Sequence, residues 1–187
     1  MQISQLPEEI WNTPALLYQP HYHLAGPQGM VLVGPRSIAI TDLAPYSSWM
    51  AFRSRILDVL TKCANATIYK GPIRLGLRYI NAFDEDVLGD LTISVTSPYI
   101  GMSIDSTQIT LTGKQEGFST RLLVSNSMAT EDRQQCVVDI DISKKFDGAN
   151  LDLGVVLDQL DDAHQIEKKT FFALLSKNLL DSLAPEY

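Results

Sequence analysis

Cysteine and histidine are scarce in this chain: its 187 residues include two cysteines, Cys63 and Cys136, and three histidines. The two cysteines lie 73 positions apart in apolar surroundings, which excludes a disulfide framework and the Cys-x-x-Cys spacing of zinc or redox sites. Both are expected as reduced core thiols. No apolar run reaches the roughly eighteen residues of a membrane helix, and Met1 to Ile10 lacks a basic stretch leading into an apolar one. Neither export nor a membrane partner is expected, and the expected location is cytoplasmic. There is no Gly-x-Ser-x-Gly elbow and no glycine-rich phosphate loop, so no catalytic residue and no cofactor is implied. A metal-dependent or hydrolytic enzyme is accordingly the third reading of function, behind two kinds of binding subunit.

What is present belongs to an ordinary globular domain. Hydrophobic residues make up 45% and charged residues 20% of a chain long enough to bury a core unaided. The expected organisation is one α+β domain over residues 1–187, with an antiparallel sheet of about seven or eight strands and two main helices. Leu16 to Ala25 and Met30 to Val33 flank a Gly26-Pro27-Gln28-Gly29 turn and predict a hairpin, whose second strand continues through a bulge or kink at Gly34-Pro35 into Arg36 to Ile40. Ser47 or Ser48 is placed to cap a helix over about 46–63, with Trp49, Phe52, Ile56 and Cys63 on one face. Ile73 to Asn81 reads as a strand with Leu75, Leu77 and Tyr79 on one side and Arg74, Gly76 and Arg78 on the other. Four more strands are expected at 91–95, 108–112, 119–125 and 136–142. In the last of these, Cys136, Val138, Ile140 and Ile142 alternate with Val137, Asp139 and Asp141. A long helix over about 155–183 closes the chain, acidic early and lysine-rich late.

The net charge of −7 conceals an uneven distribution. Between Arg36 and Arg78 seven basic residues face two acidic ones, whereas from Tyr79 onward eighteen acidic residues face eight basic ones. Arg36, Lys70, Arg74 and Arg78 are the candidate binding residues: arginine forks suit phosphate or carboxylate, and Gly76 between two arginines leaves room for a ligand to approach. Two readings follow from the same residues, an anion-binding face or internal ion pairs. His21 and His23, two apart on an expected strand, are the candidate metal pair, with only His164 as a further imidazole. Asp139 and Asp141, together with Asp84, Glu85 or Asp86, are candidate Mg²⁺ ligands or an acid/base pair, or else solvated sheet carboxylates.

Several stretches carry a family resemblance: Tyr18-Gln19-Pro20-His21-Tyr22, Val33-Gly34-Pro35-Arg36-Ser37-Ile38, Trp49 with Phe52, Arg74-Leu75-Gly76-Leu77-Arg78-Tyr79-Ile80-Asn81, and Phe171-Phe172 to Pro185-Glu186-Tyr187. On these the chain resembles a sporadically distributed prokaryotic protein family of unknown function. The resemblance spans nearly the whole chain and implies no activity, substrate or catalytic residue. Longer members begin with an additional strand and helix, so it implies a sheet lacking one strand, its open edge completed by a partner subunit. The expected function is a non-enzymatic protein-interaction subunit of a prokaryotic multi-protein system, mobile or defence-linked given the family's patchy occurrence. Its partner would be another protein or a second copy. The alternative is a nucleic-acid-binding subunit that uses the arginine-bearing sheet face.

Overall fold

A computed structural model describes residues 16–66, 72–93, 106–130, 133–147 and 152–183. The chain is α+β and divides into two compact units, Met1–Tyr69 and Lys70–Tyr187. Each unit has its own antiparallel sheet, one of three strands and one of four, in place of the single expected sheet of seven or eight.

In the first unit, β1 (Tyr22–Gly26), β2 (Gly29–Gly34) and β3 (Ser37–Asp42) form a meander in that spatial order. The first hairpin falls where the sequence predicts it. At Gly34-Pro35, however, the chain reverses instead of kinking, and Gly34 pairs with Ser37 across a two-residue loop. A Cβ at Gly34 would collide with the carbonyl oxygen of Gln19, so only glycine permits this close approach. Helix α1 (Trp49–Asn65) begins at Ser48, whose hydroxyl accepts from the Ala51 amide at 3.2 Å, and buries Phe52 and Ile56. Arg55 ties helix to sheet within this unit. Its guanidinium donates to the Gln28 carbonyl at 3.1 Å, the Thr41 carbonyl at 2.6 Å and the Asp42 carboxylate at 3.1 Å.

The second unit contains β4 (Arg74–Phe83), β5 (Thr107–Gln115), β6 (Phe118–Thr130) and β7 (Arg133–Lys145), paired in the order β4-β7-β6-β5. The tight β5–β6 turn places Glu116 and Gly117 at φ 52° and 81°, the left-handed pair that matches the twist of a two-residue hairpin. On β7 the period-two pattern holds, with Cys136, Val138, Ile140 and Ile142 all 0% exposed. Helix α2 (Leu153–Leu174) is capped by Asp152, which accepts from the Gly154 amide at 2.7 Å, and packs against β7 and β4. Val156, Leu160, Ala163 and Glu167 recur at helical spacing on its buried side. Burying each large apolar side chain here stabilises the unit by about 1.5–3 kcal/mol.

Two further expectations are corrected in this unit. Rather than running unbroken over 155–183, the terminal helix stops at Leu174 and resumes as α3 (Lys177–Ser182). The interruption has a tertiary cause: Leu91 bridges Leu175, the Thr92 amide donates to the Leu174 carbonyl at 2.8 Å, and the Ser176 amide donates to the Asp90 carbonyl at 2.9 Å. Ser176 then caps α3 through Leu179. Over its described part, 91–93, the strand expected at 91–95 is reduced to that one bridge at Leu91, just after a 3-10 turn (Leu88–Asp90); positions 94 and 95 lie outside the described residues.

Candidate functional site

Strand register decides what shares a face of the four-stranded sheet. Leu77, Tyr79, Val138, Ile140, Leu122 and Val124 point to the helix side. On the opposite side Arg78 stands across from Asp141, which stands across from Arg121 and then Thr112. One residue pair along the sheet, Gly76, Ser143, Ser119 and Lys114 form the next row, and Arg74 lies opposite Lys145 beyond it. This open face therefore carries Arg74, Arg78, Lys114, Arg121 and Lys145 against Asp139 and Asp141, in a chain whose net charge is −7.

The sequence candidates fare differently. Arg74 and Arg78 do share this face. Arg78 forms a two-pronged bond with the buried Asp139, Nε to Oδ1 at 2.8 Å and Nη2 to Oδ2 at 2.7 Å, and that bond raises its affinity for its proton. Arg36 is an exposed residue of the β2–β3 loop in the first unit, its amide donating to the Leu17 carbonyl at 3.0 Å. Lys70 lies outside the described residues. Lys114, Arg121 and Lys145 escaped the sequence reading because they sit in the acidic half of the chain, 36 or more positions beyond Arg78. Strand pairing alone brings them to the same surface.

His23 lies exposed on β1, and His21 precedes that strand, its amide donating to the Val33 carbonyl at 2.8 Å. Among the described residues, no group of three or more His, Cys, Asp or Glu is arranged to hold a metal ion. Asp86 is occupied in turn geometry, accepting from the Leu88 amide at 3.0 Å and from the Asn126 side chain at 3.1 Å.

A second constellation lies under α2. The Tyr79 hydroxyl is 3.3 Å from His164 Nδ1, which is 3.8 Å from Glu167 Oε2. Burial pushes the Glu167 carboxyl up to about 7. Burial, reinforced by Lys168 and opposed by Asp161, lowers the His164 imidazole. Both groups are thus biased toward their neutral forms. The groove lined by Thr92, Leu111 and Thr170 and the groove lined by Arg74, Lys114 and Arg121 include neither His164 nor Glu167.

The first unit offers a different kind of surface. Tyr22 pairs with Val33 and Leu24 with Val31, while Val31 pairs with Ile40 and Val33 with Ile38. All six side chains therefore lie on one face of the three-stranded sheet. Tyr22, Leu24 and Ile38 are 58%, 59% and 37% exposed, and the other three are half-buried. Both cysteines are free thiols, Cys63 half-buried and Cys136 buried, with burial raising the Cys136 thiol above its ordinary value. No helix among the described residues is long and apolar enough to cross a membrane. The chain matches no protein-family model, no curated protein and no solved structure.

Proposed function

We propose that this chain is a non-enzymatic protein-interaction subunit, working within a prokaryotic multi-protein system and docking a protein partner on the apolar face of its three-stranded sheet. The observation that carries this reading is the alignment of Tyr22, Leu24, Val31, Val33, Ile38 and Ile40 on one surface with three of them exposed. Scattered apolar residues are normal on any surface, whereas a contiguous stripe across three strands is the composition of an interface core. Leu43, Tyr46 and Met50, at 55%, 47% and 72% exposure, add apolar surface to the same unit.

The test is affinity purification from native cells followed by mass spectrometry, with the unaltered chain beside a Leu24→Asp/Ile38→Asp variant. A protein captured in stoichiometric amount by the former and lost from the latter is the expected result. Because both positions are exposed, the variant should keep its circular dichroism spectrum and lose little stability. A chain that sediments as a lone monomer at micromolar concentration and captures nothing would sink the reading.

A further inference from the structure

The open face of the four-stranded sheet holds a shallow groove of about 460 Å³ whose walls include Arg74, Lys114 and Arg121, with Thr112, Ser119 and Ser143 between them. Its charge is only partly cancelled. Asp139, the buried carboxylate of this face, is fully engaged by Arg78, and among the described residues none of Arg74, Lys114 or Arg121 is drawn into a salt bridge. One carboxylate in the wall, Asp141, stands between Arg78 and Arg121. The remaining cations project from three different strands, with β7 between the strand of Arg74 and that of Arg121 and the strand of Lys114 next to the latter. They lie in three successive cross-strand rows, Arg121 in the first, Lys114 in the second and Arg74 in the third, and surround the groove with Ser119 and Ser143 between them.

We infer that this groove binds the phosphate backbone of a nucleic acid. Phosphate is favoured over an acidic protein surface because protein interfaces draw their energy from apolar and aromatic anchors at their centre, and Arg74, Thr112, Lys114, Ser119, Arg121 and Ser143 supply none. Backbone phosphates need only cations and hydroxyl donors. The absence of an aromatic side chain from this lining removes base stacking, so binding is electrostatic and indifferent to sequence. Arg78 serves as a positioning residue, neutralising Asp139 so that the face remains cationic. This site is in the second unit, independent of the apolar face assigned to a protein partner.

Fluorescence anisotropy with a fluorescein-labelled deoxythymidine strand of about 20 nucleotides tests the inference. Three phosphate contacts give a slope of log affinity against log salt of about −2, a loss of roughly 20-fold between about 50 and 200 mM NaCl. Arg74→Ala/Arg121→Ala should flatten that slope to about −0.7 and weaken binding at the lower salt at least tenfold. Arg121→Lys should preserve the slope. Lys168→Ala/Lys177→Ala, which removes the same charge from the helices, should leave the affinity within about twofold. The assignment is overturned by any of three results: no binding at the lower salt up to about 100 μM protein, equal weakening by the helix pair, or displacement by polyglutamate as effective as by unlabelled oligonucleotide at matched charge.

Discussion

The two units of this chain distribute their apolar residues in opposite ways. Of the twenty buried hydrophobic residues among those described, eighteen belong to the second unit, and Phe52 and Ile56 alone to the first. Of the thirteen large hydrophobics left exposed among the described residues, eight lie in the first unit. A 22-residue helix packs on β7 and β4 of the four-stranded sheet, and the opposite face carries charged residues together with Ile80 and Leu123. The three-stranded sheet has an apolar face left half-buried to exposed, and its described polar ties centre on Arg55. One unit thus closes on a core of its own, while the other leaves most of its large apolar side chains half-buried or exposed among the described residues.

Four substitutions probe that contrast, beginning with the largest effect. Ile140→Ala, at a side chain with 0% exposure, should cost about 2–5 kcal/mol in urea unfolding, whereas Leu24→Ala in the first unit should cost no more than about 0.5. Equal costs would mean that the two sheets are buried alike. Glu167 gives a pH-dependent effect of about 3 kcal/mol at its limit. Its folded-state value of about 7 lies above the ordinary 4.5, so the folded chain holds the proton more tightly than the unfolded chain. The penalty for burying the carboxylate is absent below about pH 4.5, grows through the interval, and is complete above about pH 7. Glu167→Gln should therefore match the unaltered chain near pH 4.5 and exceed it in unfolding free energy near pH 8.5. Parallel stability curves for the two proteins would refute this. A polar tie gives the next effect, in the first unit. Arg55→Ala should destabilise the first unit by about 1–3 kcal/mol, because the Gln28 and Thr41 carbonyls each lose a donor and the nearly buried Asp42 carboxylate loses its cation. Asp42 gives the matching signature. Burial pushes its carboxyl up, but the Ser47 hydroxyl and amide together with Arg55 hold it below its usual value. In Arg55→Ala it should titrate at higher pH, which carboxyl-carbon NMR would register.

The sequence and the structure part company where local and non-local forces differ. Alternation along Cys136 to Ile142 predicted which side of β7 is buried, because a strand's side-chain period is a property of the backbone. The helix after Ser48 was legible for the same reason, since a hydroxyl cap and a three-to-four apolar spacing are contained in one segment. The candidate site was half legible. Arg74 and Arg78 share a strand and hence a face, but Lys114, Arg121 and Lys145 join them only through pairing across β4-β7-β6-β5.

Local pattern by itself therefore determined the amphipathic elements, the first hairpin and the helix cap, each of which depends on residues a few positions apart. Tertiary structure decided that the strands form two sheets, that the Gly34-Pro35 segment reverses, and that the Asp90 to Thr92 segment captures Leu174 to Ser176 and ends the long helix early. It also decided that Arg78 finds Asp139 across 61 positions of sequence. Those outcomes depend on which distant segments meet, and a contact between distant segments leaves no periodic trace in either of them.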